Sequence, residues 1–261
     1  MNETTVLHTM NPLTRFSERA TAYAKYRPSY PEEAIAIILE GLGNSTQIVA
    51  ADIGAGTGIS SRLLAQHGIR VIAIEPNLKM SEVATPHHLV EFHNSTAENT
   101  NLSDACVDLV TCFQAFHWFN PEPTLQELQR ILKPSGRLAV VWNNRDQDDE
   151  FTQNYTQLVK IASNQHPAES RLESISPLLF SNLFTQVHCH TFNYRQALNL
   201  EGLIGRVQSV SYIPQTGVAH QQLITSLTEL YNSQRDQKGL VYLTYRTSVY
   251  LATNSRQKIA I

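Results

Sequence analysis

The stretch Asp52-Ile53-Gly54-Ala55-Gly56-Thr57-Gly58 decides how the rest of the chain is read. It follows the strand-like run Gln47 to Ile53 and precedes a helical pattern from about Ile59 to Gln66, stopped by Gly68. Glycines at alternate positions let the backbone bend sharply and approach a ligand closely at a helix start. The spacing is not the dinucleotide fingerprint. Counted from Gly54 the third position is Ile59, and counted from Gly56 it is Ser61, so GxGxxG fails in both registers. Glu75 stands twenty-three positions after Asp52, at the end of the apolar run Val71 to Ile74, where a carboxylate can accept two hydrogen bonds from ribose hydroxyls. A carboxylate at Asp52 disfavours a diphosphate beside the loop and suits an adenosine-bearing ligand with a neutral or cationic sulfonium part. Taken singly, the turn and Glu75 are each as readily structural as functional; in βαβ order they favour nucleoside binding.

From Tyr30 to Asn143 helical and strand periods alternate, the pattern of a parallel sheet covered by helices. Pro31 to Leu39 reads as a helix with Glu32 and Glu33 in its first turn and Gly41 beyond its end. A weak helix follows Asn77, and Leu89 to Phe92 and Val107 to Cys112 read as strands. Asn120-Pro121-Glu122 starts a helix that carries Leu125, Leu128, Ile131 and Leu132 and ends at Pro134 and Gly136, before a strand from Arg137 to Asn143. The polar stretch Asn143 to Glu150 ends the regular alternation. Helices are expected near Phe151 to Ala162, Leu200 to Val207 and His220 to Tyr231. Strands at Val187 to Tyr194 and Leu243 to Ala252 are expected to close the sheet edge. Phe16 to Tyr30 forms an amphipathic arm. The expected organisation is a single domain over 1–261, with an arm (1–30), a cofactor-binding core (31–145) and a lid that completes the sheet (146–261).

Composition narrows the function classes. Of 261 residues 42% are hydrophobic and 16% charged, with 11 Gly and 11 Pro, which excludes disordered and collagen-like chains. Twenty basic against twenty-three acidic side chains give a net charge of −3 without like-charge blocks, so no nucleic-acid partner is expected. No apolar run approaches the ~20 residues that cross a bilayer, and Met1-Asn2-Glu3 opens no signal pattern. A cytoplasmic protein with no membrane partner, monomeric or homodimeric, is the expectation. Cys106, Cys112 and Cys189 lack CxxC spacing and sit in apolar stretches, where thiols act as small hydrophobes. No metal is expected, since His87, His88 and His93 show no ligand spacing.

On these residues the chain resembles the class I S-adenosylmethionine-dependent methyltransferases, in particular the small-molecule branch that includes trans-aconitate methyltransferase-like enzymes. The resemblance covers roughly Phe16 to Asn143. It implies an α/β, Rossmann-like fold: a mostly parallel seven-stranded sheet with helices on both faces and an antiparallel edge strand. The family's glycine motif matches Asp52 to Gly58, which puts Asp52, Gly54, Ala55, Gly56 and Gly58 among the cofactor-binding residues, and its ribose acid matches Glu75, followed by Pro76. Where the family usually has Asp-Ala-Glu to hold adenine, this chain has Thr96-Ala97-Glu98. The Asp is missing, and the Ala97 amide and Glu98 remain as contacts. Gln114-Ala115-Phe116-His117-Trp118-Phe119 matches the segment lining the methyl site, where aromatic faces attract a sulfonium. The same aromatics could simply cover a sheet edge. Tyr23, Tyr26, Arg27 and Tyr30 resemble the Y-x-x-x-R-P segment that folds over the cofactor, with Arg27 pairing the methionine carboxylate or an acidic substrate. Helix packing for the tyrosines and a surface position for Arg27 are equally open.

Methyl transfer from a sulfonium chiefly needs alignment and exclusion of water. His117 is the candidate base for a phenol, amine or carbon acid, although a packed imidazole is the commoner finding; a carboxylate acceptor needs no base. Tyr26, Trp118, Trp142, Arg206 and Tyr212 are the candidate acceptor contacts, and an anionic carboxylate follows if Arg27 and Arg206 both point inward. The expected partner is therefore a small-molecule methyl acceptor. A non-catalytic cofactor-binding protein and an NAD(P)-dependent oxidoreductase are the alternatives, the second opposed by Ile59 and Asp52.

Overall fold

The computed structural model describes residues 16–166 and 175–256. The start of the chain and the first half of the expected arm, 1–15, lie outside the described residues. Seven strands form one sheet: β1 Val49–Ile53, β2 Arg70–Ile74, β3 Val90–His93, β4 Val107–Phe113, β5 Leu132–Arg145, β6 Phe184–Leu198 and β7 Val241–Asn254. Their order is β3-β2-β1-β4-β5-β7-β6. The first five pair in parallel, and β7 runs antiparallel to both neighbours on the side where β6 ends the sheet. Nine α-helices are described: α1 Ala20–Tyr26, α2 Glu32–Leu39, α3 Ile59–Gln66, α4 Leu78–Glu82, α5 Pro121–Ile131, α6 Glu150–Ala162, α7 Ser176–Leu179, α8 Leu200–Gln208 and α9 Gly217–Gln234.

Period-two alternation sorts the core onto two faces. Leu138, Val140 and Trp142 of β5 pack with Leu125, Leu128 and Ile131 of α5, while Ala139 and Val141 pack with Ile35 and Ile38 of α2 and Leu64 of α3. A third cluster joins α6, α8 and α9 to β7 through Tyr155, Leu203, Leu227, Leu243 and Tyr245.

The punctuation expected at Pro134 and Gly136 is a bulge inside β5. Val107 pairs with Leu132 and Leu109 with Arg137, so β5 spends extra residues there, with Ser135 at φ +62. The late strands outrun their expected limits because β7 lies between two partners and both of its edges are bonded. Cys189 is exposed on β6, which corrects its reading as a small core hydrophobe; Cys112 is buried as expected.

Candidate active site

Two adjoining cavities open at the carboxyl ends of the parallel strands, where open α/β sheets bind ligands. The first, about 750 Å³, begins at the glycine turn between β1 and α3. Gly54, Gly56 and Gly58 take φ of +68, +58 and +71, values that a side chain strains. A Cβ on Gly54 would sit 2.7 Å from the Ala115 Cβ and 2.9 Å from the Phe119 ring, whereas on Gly56 the nearest atom is the Met80 methyl at 3.5 Å. Gly54 is thus fixed by protein packing, and Gly56 by its backbone and by the cavity it lines.

Glu75 follows β2 and is 9% exposed. One carboxylate oxygen accepts the Gly56 amide at 2.8 Å and the other the Asn77 amide at 2.8 Å. Each oxygen has further lone pairs, so a clamped acceptor lines the cavity. Burial pushes its carboxyl pKa upward against these two amide bonds. Pro76, Thr96, Ala97 and Glu98 line the same cavity. Glu98 also accepts the Asn120 amide at 3.0 Å, at the start of α5. Gln114 and Ala115 follow β4, and Gln114 holds φ +53, uncommon for a non-glycine residue. Its Nε2 donates to the Asn143 carbonyl at 3.0 Å, while its buried Oε1 has no hydrogen-bond partner.

The second cavity, about 650 Å³, shares Phe16, Tyr23, Gln114 and Trp118 with the first. Phe16 meets Tyr23 and Trp118 edge-on at 6.0 and 5.7 Å, so the arm roofs the junction. Arg27, Arg145 and Arg206 line it, with His117, Tyr212 and Tyr245, and no Asp or Glu is among its described lining residues. Arg27 lies over the Tyr23 ring at 4.5 Å and donates to the Ser209 carbonyl at 3.1 Å, leaving its buried Nε without a partner. Burial, and then neighbouring Arg206, lower its pKa. Arg206 is 6% exposed, donates to the Tyr245 hydroxyl at 3.3 Å and has a buried, unpartnered Nη1.

Six residues named from the sequence lie elsewhere than expected. Asp52 is fully buried and accepts from Ser60, Ser61 and Thr111 hydroxyls at 2.6, 2.6 and 2.8 Å, so it braces the loop from beneath and lines neither cavity. Burial raises its pKa and the three hydroxyls oppose that. Ala55 and Gly58 also stand outside the cavities, Ala55 donating its amide to the Ile74 carbonyl and Gly58 preceding α3 against Phe92. Tyr26 packs on Gly205 and donates to Glu201 at 2.8 Å, joining α1 to α8 rather than touching an acceptor. Trp142 is fully buried in the core. Arg27 lines only the second cavity, which separates it from the cofactor-binding set.

His117 does line the second cavity, but its Nδ1 accepts the Trp142 indole N–H at 3.1 Å. Desolvation lowers its pKa to about 3. That lone pair is already engaged, which counts against a resting role as general base.

Sequence reasoning missed Asn77, whose side chain caps α4 by accepting the Lys79 amide at 3.1 Å and exchanges hydrogen bonds with Ser17. An Asn immediately before a helix was the available signal. It also missed Met80 of α4 and Phe113 at the end of β4, and Arg145 at the end of β5 and Tyr245 within β7 in the second cavity, none of which carries a local motif.

A glycine turn, an amide-clamped acid and a strand-end cavity define an α/β protein with a ligand cleft at the carboxyl ends of its strands. Residues 51–140 match the sequence model of a methyltransferase domain. An uncharacterized methyltransferase of Mycobacterium tuberculosis is 34% identical over 200 residues, 76% of each chain. A solved type II methyltransferase structure from Anaeromyxobacter dehalogenans superposes with a TM-score of 0.66 at 22% identity, covering 87% of this chain and 97% of that one. Phosphoethanolamine N-methyltransferase 2 of Haemonchus contortus, solved with phosphomonomethylethanolamine and S-adenosylhomocysteine, gives a TM-score of 0.56 at 14% identity over 95% of this chain and 59% of that one. The chain belongs to this methyltransferase family, and its fold is the Rossmann-like class I methyltransferase fold. Among the described residues no helix is long and apolar enough to cross a membrane.

Proposed function

We propose that the chain is an S-adenosylmethionine-dependent methyltransferase that binds its cofactor in the first cavity and methylates a small carboxylate-bearing acceptor in the second. The observation that carries the cofactor assignment is Glu75, held by the Gly56 and Asn77 amides with acceptor capacity left toward the cavity. The residues fit the ligand. Glu75 takes the ribose hydroxyls, Gly56 leaves backbone room, and the Ala97 amide and Glu98 lie where adenine contacts are expected. The unpartnered Gln114 Oε1 is an acceptor for an ammonium group at the junction of the cavities. Tyr23 and Trp118 supply aromatic surface beside a sulfonium. When bound, the cofactor supplies a methyl group on positively charged sulfur. Arg27 and Arg206 favour an anionic acceptor, and Phe16, Tyr23 and Trp118 exclude water from the junction.

Calorimetric titration with S-adenosylhomocysteine and, separately, NADH tests the reading. Saturable binding of the first alone is expected. NADH binding with no response to S-adenosylhomocysteine would overturn it.

A further inference from the structure

Taking the second cavity as the acceptor pocket, we infer that Trp142 locks His117 in one tautomer, so that the imidazole is a hydrogen-bond donor to an acceptor oxygen and takes no proton in the reaction. Indole nitrogen only donates, so the 3.1 Å contact obliges His117 Nδ1 to accept. The proton of a neutral ring then resides on Nε2, the nitrogen that remains for the cavity His117 lines. Trp142 is a rigid anchor. It is fully buried, edge-on to Phe116 at 6.3 Å and to Tyr250 at 5.9 Å, so the indole cannot swing away without opening the core.

The charges around the ring point the same way. Arg27 from the end of α1, Arg145 from β5 and Arg206 from α8 line the cavity, with the phenols of Tyr23, Tyr212 and Tyr245, and the described lining contains no carboxylate to stabilise an imidazolium. The guanidiniums favour an anionic acceptor. Desolvation keeps the ring neutral. An acceptor that must surrender a proton, such as an ammonium or a neutral phenol, finds no base in this ring. A carboxylate fits. Its oxygen lone pair forms the new O–CH3 bond as the C–S bond breaks with its electron pair going to sulfur, and no proton moves. His117 is then a specificity-determining contact and Trp142 a positioning residue acting through it.

The test is 15N NMR of histidine-labelled full-length protein, with His117 assigned from the His117→Gln spectrum. A protonated Nε2, an unprotonated Nδ1 and no titration between pH 5 and 8 are expected, with Trp142→Phe allowing the other tautomer and bringing titration into that range. A wild-type ring that titrates there, or that carries its proton on Nδ1, overturns the inference. Succinate, as a carboxylate probe, is then titrated in the presence of S-adenosylhomocysteine. His117→Gln, which keeps an N–H donor, should bind succinate within about threefold of wild type, and His117→Leu at least tenfold more weakly. Equal losses in the two variants, with S-adenosylhomocysteine affinity unchanged, would defeat the donor role while leaving the cofactor assignment standing. Loss of S-adenosylhomocysteine binding in the unaltered protein would instead remove the function on which the role depends.

Discussion

The two cavities touch, yet they are built by different rules. The first is assembled from short segments that leave consecutive strand ends: 54–56, 75–80, 96–98 and 113–119, with Phe16 and Tyr23 reaching in from the described part of the arm. The second collects Arg27, Arg145, Arg206 and Tyr245 from the arm, a central strand, a late helix and the last strand. A cofactor site of the first kind is tied to sheet topology and survives changes elsewhere. A site of the second kind depends on long-range packing, so acceptor choice can change without disturbing cofactor binding.

The largest effect that would sharpen this contrast is expected at the turn. Gly54→Val should destabilise the fold by about 3 kcal/mol, because its branched side chain meets Ala115 and Phe119 at a positive φ. Gly56→Val should lose S-adenosylhomocysteine binding with a smaller fall in stability, since Met80 leaves more room. Denaturant unfolding beside calorimetry separates the two, and a Gly56→Val protein with unchanged affinity would break the placement of the ligand. Next comes Glu75→Ala, expected to weaken S-adenosylhomocysteine by roughly 1.5 to 3 kcal/mol through loss of a charged acceptor.

In the second cavity binding and stability separate. Arg206→Met removes the donor to the Tyr245 hydroxyl and a cation that the Tyr245, Tyr155 and Tyr212 phenols favour against its desolvation, so it should lower stability by about 1 kcal/mol. Succinate binding should fall at least tenfold with cofactor affinity intact. Unchanged succinate affinity would show that Arg206 is a structural strut.

A comparable effect tracks pH. His117 has a folded pKa of about 3, below its ordinary value, so the unfolded chain binds the proton more readily. Its contribution to stability is complete above pH ~6.5 and is lost as pH falls toward 3. His117→Gln should therefore lose about 2 kcal/mol less than the unaltered protein between pH 7 and 5, read by denaturant midpoints at both values. The smallest change is expected from Asn77→Ala, about 1 kcal/mol from the lost α4 cap and its tie to Ser17.

The same division explains what was legible in the sequence. Strand-end residues such as Gly56, Glu75 and Gln114 announce themselves through chain order, because a parallel sheet places successive strand ends on one rim. Burial direction does not show in chain order. Asp52 stands one residue before the turn's strand ends, and period two sends its carboxylate into the hydroxyls of Ser60, Ser61 and Thr111. Trp142, suspected as an acceptor contact, alternates onto the α5 face of the sheet for the same reason, and its influence reaches the cavity only through His117. Tyr26 and Arg27 are adjacent in the chain yet diverge, one onto Gly205 and the other over Tyr23. Only the path of α1 against α8 decides that, and no local pattern encodes it.

The placement of β7 sets the order in which the molecule can be finished. Among the described strands β6 bonds to β7 alone, so its fifteen residues leave the ribosome some forty positions ahead of the partner that fills their hydrogen bonds. Until that partner arrives the nascent chain displays a long unpaired ribbon, open to pairing with a neighbour's. Among the described strands β7 therefore both pairs the inner side of that ribbon and delivers Tyr245 to the second cavity, so completion of the sheet and completion of that cavity are one event.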